Sequence, residues 1–169
     1  MIFYHSTFTI YHHIFTMSLF SFLKKKPFFT AEEQAQIVAA IGASEKQTSG
    51  EIRLFVESHC KFVDPLDRAA EAFFKLKMDA TKEHNAVLVY VAMKDRQLAI
   101  FGDKGIHEKV GDAFWNEQVK KMLSHFTAND YAGGLEKIIS EIGEALRSNF
   151  PYNEDSDTNE LPDDIVYGR

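Results

Sequence analysis

Cysteine is nearly absent. Cys60 stands alone among 169 residues, so no intrachain disulfide can staple the fold and stability must come from a packed core. A lone thiol suits a reducing compartment, and we expect a cytoplasmic protein. Within its strand-like segment Cys60 reads as a buried structural thiol rather than a nucleophile. Basic charge is also short: 19 Lys and Arg face 25 Asp and Glu, a formal net charge of -6. A phosphate-backbone binder needs a basic face, so nucleic acid is excluded as a partner. Much of the acidity is local, because Glu154, Asp155, Asp157, Glu160, Asp163 and Asp164 crowd the last stretch.

Catalytic and metal-binding signatures are missing too. The seven histidines, at 5, 12, 13, 59, 84, 107 and 125, show no ligand spacing on a helix or across a turn. No serine-hydrolase elbow is present. Gly102-Asp103-Lys104-Gly105 matches neither the phosphate loop nor the dinucleotide fingerprint, and suits a plain tight turn. Asp155-Ser156-Asp157-Thr158-Asn159 imitates the opening of a calcium loop. However, Glu160 stands where the loop needs glycine, and Val166 stands where it needs a bidentate glutamate.

A long charge-free apolar run is likewise lacking. Met1 to Leu23 is rich in Phe, Ile and Tyr, but His5, His12, His13 and several Ser and Thr interrupt it, which excludes a transmembrane helix. It has no basic start and no small-residue cleavage site, so it is no secretory signal. Met17-Ser18-Leu19-Phe20 resembles an ordinary start, and we expect translation to begin there, with residues 1–16 ahead of the true protein. Phe20, Phe22, Phe28 and Phe29 beside Lys24-Lys25-Lys26 offer a contact surface for an anionic membrane or a partner protein, and loose packing of these rings onto the domain fits equally well.

What is present builds a domain. Hydrophobic residues at 45% and aromatics at 13% supply a core and exclude wholesale disorder. Thr30-Ala31-Glu32-Glu33 is a capping box, and Ala35, Ile37, Val38 and Ile41 follow on one helical face. Glu51 to Cys60 alternates, with Ile52, Leu54, Val56 and Cys60 on an apolar side and Glu51, Arg53, Glu57 and His59 on a polar one. Asp64-Pro65 starts a helix whose predicted buried stripe is Leu66, Ala69, Ala70, Phe73 and Phe74. Ala86 to Ala92 is continuously apolar, the mark of a strand covered on both faces.

Lys94-Asp95-Arg96 turns the chain into an antiparallel partner at Gln97 to Phe101. A short helix at Ile106 to Val110 is broken by Gly111. The next helix carries Trp115, Val119, Met122, Leu123 and Phe126, and a last one carries Leu135, Ile138, Ile139, Ile142 and Leu146. The order predicts a three-layer α/β/α sandwich with a small mixed, Rossmann-like sheet whose first two strands run parallel. Residues 1–29 form an N-terminal extension, 30–150 the domain, and 151–169 an acidic flexible tail.

Three stretches together resemble the TPM-domain family: Thr48-Ser49-Gly50-Glu51-Ile52, Asn85-Ala86-Val87-Leu88-Val89-Tyr90-Val91 with Asp95-Arg96, and Asp130-Tyr131-Ala132-Gly133-Gly134-Leu135. The likeness covers roughly residues 30–150. It implies an α/β/α sandwich and, as in some plant members, acid phosphatase activity with calcium held by acidic residues. The chain departs from the family at Ala86, where glycine is usual, and at Asp103, where many relatives carry an aromatic. It also lacks the long apolar anchors of the membrane-associated members.

The acidic residues near predicted strand ends and turns are Glu51, Asp95, Asp103, Asp112 and Asp130. Calcium takes six to eight hard oxygen ligands, often from loops, so these five are the candidate metal ligands and calcium the one expected cofactor. In a phosphatase the metal would screen repulsion between carboxylates and an anionic phosphomonoester. The same residues also suit turn shaping and helix capping. The alternative function is a non-catalytic protein-interaction module associated with a membrane complex.

Overall fold

The computed structural model describes residues 27–153 and 161–168, so the expected start at Met17 and most of the Phe/Lys segment lie outside the described residues. The first helix, α1, spans Ala31–Glu45. It begins at the predicted capping box: the Thr30 amide donates to Glu33 at 2.7 Å and the Glu33 amide donates to the Thr30 hydroxyl at 3.2 Å. Strand β1 (Ile52–Glu57) leads to α2 (Pro65–Lys75), where Asp64 accepts from the Leu66 amide and Pro65 fills the first turn. Then come β2 (Val87–Ala92) and β3 (Gln97–Gly102). They are followed by α3 (Lys104–Thr127), α4 (Tyr131–Asn149) and a short β4 (Ile165–Tyr167).

The sheet order is β3-β2-β1-β4. β1 runs parallel to both β2 and β4, and β2 pairs with β3 antiparallel, so the sheet is mixed as predicted. Residues Ala86 to Ala92 have no measurable exposure, because helices cover both faces of this interior strand. Val87, Val89 and Val91 join the core under α1, α3 and α4, while Leu88, Tyr90 and Ala92 face the core under α2. These are the three layers of the sandwich.

Two glycines are dictated by geometry. Gly111 has φ of 70° and breaks α3 into two segments, as expected from its place in the sequence. Gly105 sits so close to the preceding loop that a Cβ would lie 2.1 Å from the Glu83 carbonyl oxygen.

Four expectations change. The polar side of β1 is not solvated, for all six of its residues are buried. With β2 and β4 on its flanks and α2 across it, Arg53 and Glu57 must find partners inside. Second, the tail is not uniformly loose, since Ile165–Tyr167 pairs with Leu54 to Val56 as the edge strand β4. Third, of the two roles open to Phe29, packing is the one it takes, for it lies in the core ahead of α1 and offers no contact surface. Fourth, the helical stripes are narrower than their apolar residues. Val38 on α1 turns outward, and on α2 only Ala69, Ala72 and Phe73 are buried while Leu66 and Phe74 stay in solvent.

No helix among the described residues is long and apolar enough to cross a membrane.

Burial also produces one perturbed acid. Glu45, at the end of α1, has its pKa pushed up to about 9, chiefly by burial and further by the neighbouring Glu51 and Asp163 carboxylates. The Ile52 amide, donating at 2.8 Å, opposes the shift. Because the folded pKa lies above the unfolded value of 4.5, this group favours the fold at low pH and loses that contribution as pH rises towards 9. Glu45→Gln keeps the acceptor for Ile52 and removes the titration. Thermal melts of this variant should therefore fall less steeply between pH 5 and pH 9 and exceed the parent Tm at pH 8. An unchanged slope would contradict this assignment.

Candidate functional site

The five predicted ligands are dispersed, and four of them are held by histidines. Asp95, in the β2–β3 turn, takes the His59 Nδ1–H at 2.7 Å and the Cys60 amide at 2.7 Å. Those two bonds, the histidine's first, hold its carboxyl below the usual range. Asp103 caps α3 by accepting from the Lys104 amide at 2.7 Å and lies 3.1 Å from His84 Nδ1. Asp130 accepts from the Gly133 amide at the start of α4 and lies 2.9 Å from His125 Nδ1. Asp112 follows the Gly111 break, with its carboxylate 3.8 Å from His107 Nε2. His107 Nδ1 accepts from the Trp115 indole at 3.2 Å, which leaves Nε2 as the nitrogen that carries the proton towards Asp112.

Glu51 and Asp103 flank the start of β2. Val87 donates its amide to the Glu51 carbonyl and Asp103 donates its amide to the Ala86 carbonyl. That places the two backbones two strand spacings apart, about 10 Å. Asp95 sits at the opposite end of the six-residue β2, roughly 20 Å away. Among the described residues no group of three or more His, Cys, Asp or Glu side chains is arranged to hold a metal ion. The five carboxylates named from the sequence therefore do not meet on one centre, whereas calcium takes several oxygens there.

A second polar group lies on the α2 side of the sheet. The Arg68 guanidinium forks onto Glu57, donating through Nε at 2.9 Å and Nη2 at 3.0 Å, and the Tyr90 hydroxyl donates to the same carboxylate. Burial alone would raise the Glu57 pKa, but the bonds from Arg68 and Tyr90 outweigh it and hold it low. Burial first, then the contacts with Cys60 and Glu57, push the Tyr90 phenol up. Every member is committed to another and no solvent-facing nucleophile emerges, so the cluster ties α2 to β1 and β2.

The open ground is the other edge of the sheet. β3 is a terminal strand, with no strand paired to its outer edge among the described residues. A groove of about 590 Å³ runs along it, walled by Asp64 and Leu66 from the start of α2 and by Asp112, Trp115 and Val119 from α3. The Phe101 ring of β3 packs at a tilt 4.9 Å from Phe73 and edge-on 6.1 Å from Phe74, which extends the apolar wall along α2. Leu66 is 51% exposed and Phe74 57%, and in the loop just before α2 Phe62 is 96% exposed. Large apolar side chains grouped beside an unpaired strand edge are a liability unless something covers them.

The TPM domain model matches residues 24–145. The chain belongs to the TPM-domain family. Its sandwich is similar to the BA42 protein from the psychrophilic bacterium Bizionia argentinensis, with 43% identity and a TM-score of 0.78 over 86% of this chain and 99% of that one. The N-terminal domain of cg2496 from Corynebacterium glutamicum matches at 21% identity and TM-score 0.53, covering 73% of this chain and 86% of that one. An N-terminal domain from P. gingivalis matches at 13% and 0.60, covering 72% and 78%. These last two show the fold alone. No curated protein matches the chain.

Ala86 and Asp103, singled out in the sequence, have roles in this TPM domain. Ala86 is fully buried at the start of β2, where its carbonyl accepts from Asp103. Asp103 caps α3 and meets His84. The groove residues Leu66 and Trp115, and Phe74 next to Phe101, were visible only as apolar positions at helical spacing, which reads as core. The usable signal was the excess of apolar positions on the short α2, more than one face of the sheet can cover.

Proposed function

We propose that this TPM domain is a non-catalytic protein-interaction module that takes an extended segment of another protein along the open edge of β3. The observation that carries this reading is the conjunction of an unpaired strand edge with Leu66 and Phe74 left in solvent beside it. An added strand would satisfy the outward amides and carbonyls of β3 and cover those side chains together. The hydrolytic alternative asks for converging carboxylates, and here the aspartates are spent on caps, turns and histidine contacts.

Two measurements separate the readings. Thermal melting in millimolar calcium and turnover of p-nitrophenyl phosphate should show no rise in Tm and no calcium-dependent hydrolysis. A bound ion at one hundred times its Kd would stabilise by about 2.7 kcal/mol, which is easily seen. A calcium-dependent rise that Glu51→Gln and Asp103→Asn abolish would overturn the module reading. For binding, extended peptides selected from a display library against the full chain should lose at least tenfold in affinity for Leu66→Asp or Phe74→Asp. Both positions are more than half exposed, and an unchanged circular dichroism spectrum checks that each variant keeps the fold.

A further inference from the structure

The geometry points to the chemistry of the segment that docks on β3: a strand of about six residues, apolar in its middle, with a lysine or arginine at each end five residues apart. This rests on the edge-binding reading above and adds to it a pattern of charge and spacing. The charged side chains lining the groove are two carboxylates, Asp64 and Asp112, and neither Lys nor Arg is among its walls. Both are exposed, with the Asp112 side chain 88% in solvent. On the flanking helices Arg68 is engaged by Glu57 and Glu71, and Lys121 by Glu117 and Glu141. The exposed Lys61, Arg96 and Lys109 lie near the groove ends but outside its lining. The lining itself therefore presents its two carboxylates to whatever enters.

The two carboxylates sit at opposite ends and on opposite walls. Asp64 belongs to the α2 wall. The loop before it is tied to the β2–β3 turn through the Cys60 amide and Asp95, so it lies at the Gln97 end of β3. Asp112 belongs to the α3 wall. It reaches His107, which holds the Trp115 indole, and that ring lies so close to Gly102 that a Cβ there would touch it at 2.5 Å. Asp112 is thus at the Gly102 end. β3 is six residues long, about 17 Å from first to last residue. Side chains alternate faces along a strand, so residues i and i+5 of a docked peptide point to opposite walls, as the two aspartates require. Between them Leu98 and Ile100 belong to the core on the α3 side, and Ala99 and Phe101 pack on the α2 side, so the interior peptide positions meet apolar surface on both faces.

The test uses the full chain and its sole tryptophan, Trp115, as a fluorescence reporter inside the groove. The probe is a blocked Gly-Lys-Val-Thr-Ile-Val-Lys-Gly peptide at low salt. Its controls carry Glu for both Lys, shorten the Lys spacing to four, or N-methylate alternate backbone amides. We expect the Lys peptide to bind at least tenfold more tightly than the Glu peptide, from two exposed pairings gained and two like-charge contacts avoided. Combining Asp64→Asn with Asp112→Asn should shrink that preference below threefold. Asparagine is an equally good helix cap, so α2 is not disturbed. The four-spaced peptide should lose half or more of the advantage, and N-methylation should abolish binding. Equal affinity for Lys and Glu peptides, with binding still lost on N-methylation, would overturn the charge pattern and leave edge binding standing. No fluorescence response to any peptide would remove both.

Discussion

Replacing Arg68 with alanine is expected to lower the unfolding free energy by about 3 kcal/mol, the scale seen when one member of a buried ion pair is removed. For a domain of this size that is a fall in Tm of about 10 °C. The reason is what remains. Glu57 is buried on the α2 face of β1, where it takes both prongs of the guanidinium and the Tyr90 hydroxyl. Without Arg68 it keeps a single donor, and a charge in that position must neutralise or drag water in. The guanidinium also lies over the Phe55 ring at 5.6 Å, a contact that alanine removes as well.

The pH dependence gives this prediction a signature. The folded Glu57 pKa lies below its unfolded value of 4.5, so its contribution is complete above that pH and is lost as pH falls through the lower folded value. Urea unfolding of Arg68→Ala at pH 7 and pH 3 should therefore show a smaller difference than the parent. Arg68→Lys retains charge but not the fork and should fall between the two. A loss below 1 kcal/mol at pH 7 would show that the pair is not what ties α2 to the sheet.

Ending the chain at Glu160 should cost about 3 kcal/mol. β4 is only three residues long, but it closes the outer edge of β1: Ile165 pairs with Leu54 and is buried, and the Gly168 amide donates to the Val56 carbonyl at 2.8 Å. Burial of one isoleucine accounts for about 2 kcal/mol. Arg53 loses its 2.7 Å partner Asp164 as well. That contact is worth about 1 kcal/mol because the aspartate itself is largely in water. Asp164→Asn should reproduce only this smaller part. The shortened chain also gains a second open strand edge, so it should self-associate in light scattering at concentrations where the parent stays in one species. Unchanged stability would mean that β4 contributes nothing to the sheet.

These two predictions fall where the sequence was hardest to read. The helical caps, the fully buried β2 and the parallel β1–β2 pair were legible, because each follows from a local rule: a capping box, an unbroken apolar run, a helix between two strands. The second face of β1 was not. Alternation of Arg53 and Glu57 with aliphatic residues looks the same whether the polar side meets water or a protein partner, and the partners lie on other elements, Arg68 on the next helix and Asp164 beside β4. The Ile165-Val166-Tyr167 triplet carried a strand signal, but six nearby acids masked it. Candidate metal ligands were chosen as acids near turns, which is also where caps belong, and most of them proved to be caps or histidine partners. The groove was missed for the opposite reason: its apolar walls looked like core.

Amide hydrogen exchange along β3 tests the central claim most directly. In the free protein the outward amides between Gln97 and Gly102 should exchange quickly while those of β2 stay protected. Saturation with the Lys-flanked peptide should protect the outward β3 amides and leave β1 and β4 unchanged. Exchange at β3 that is slow without any peptide, or protection that appears along β1 or β4 instead, would contradict the account.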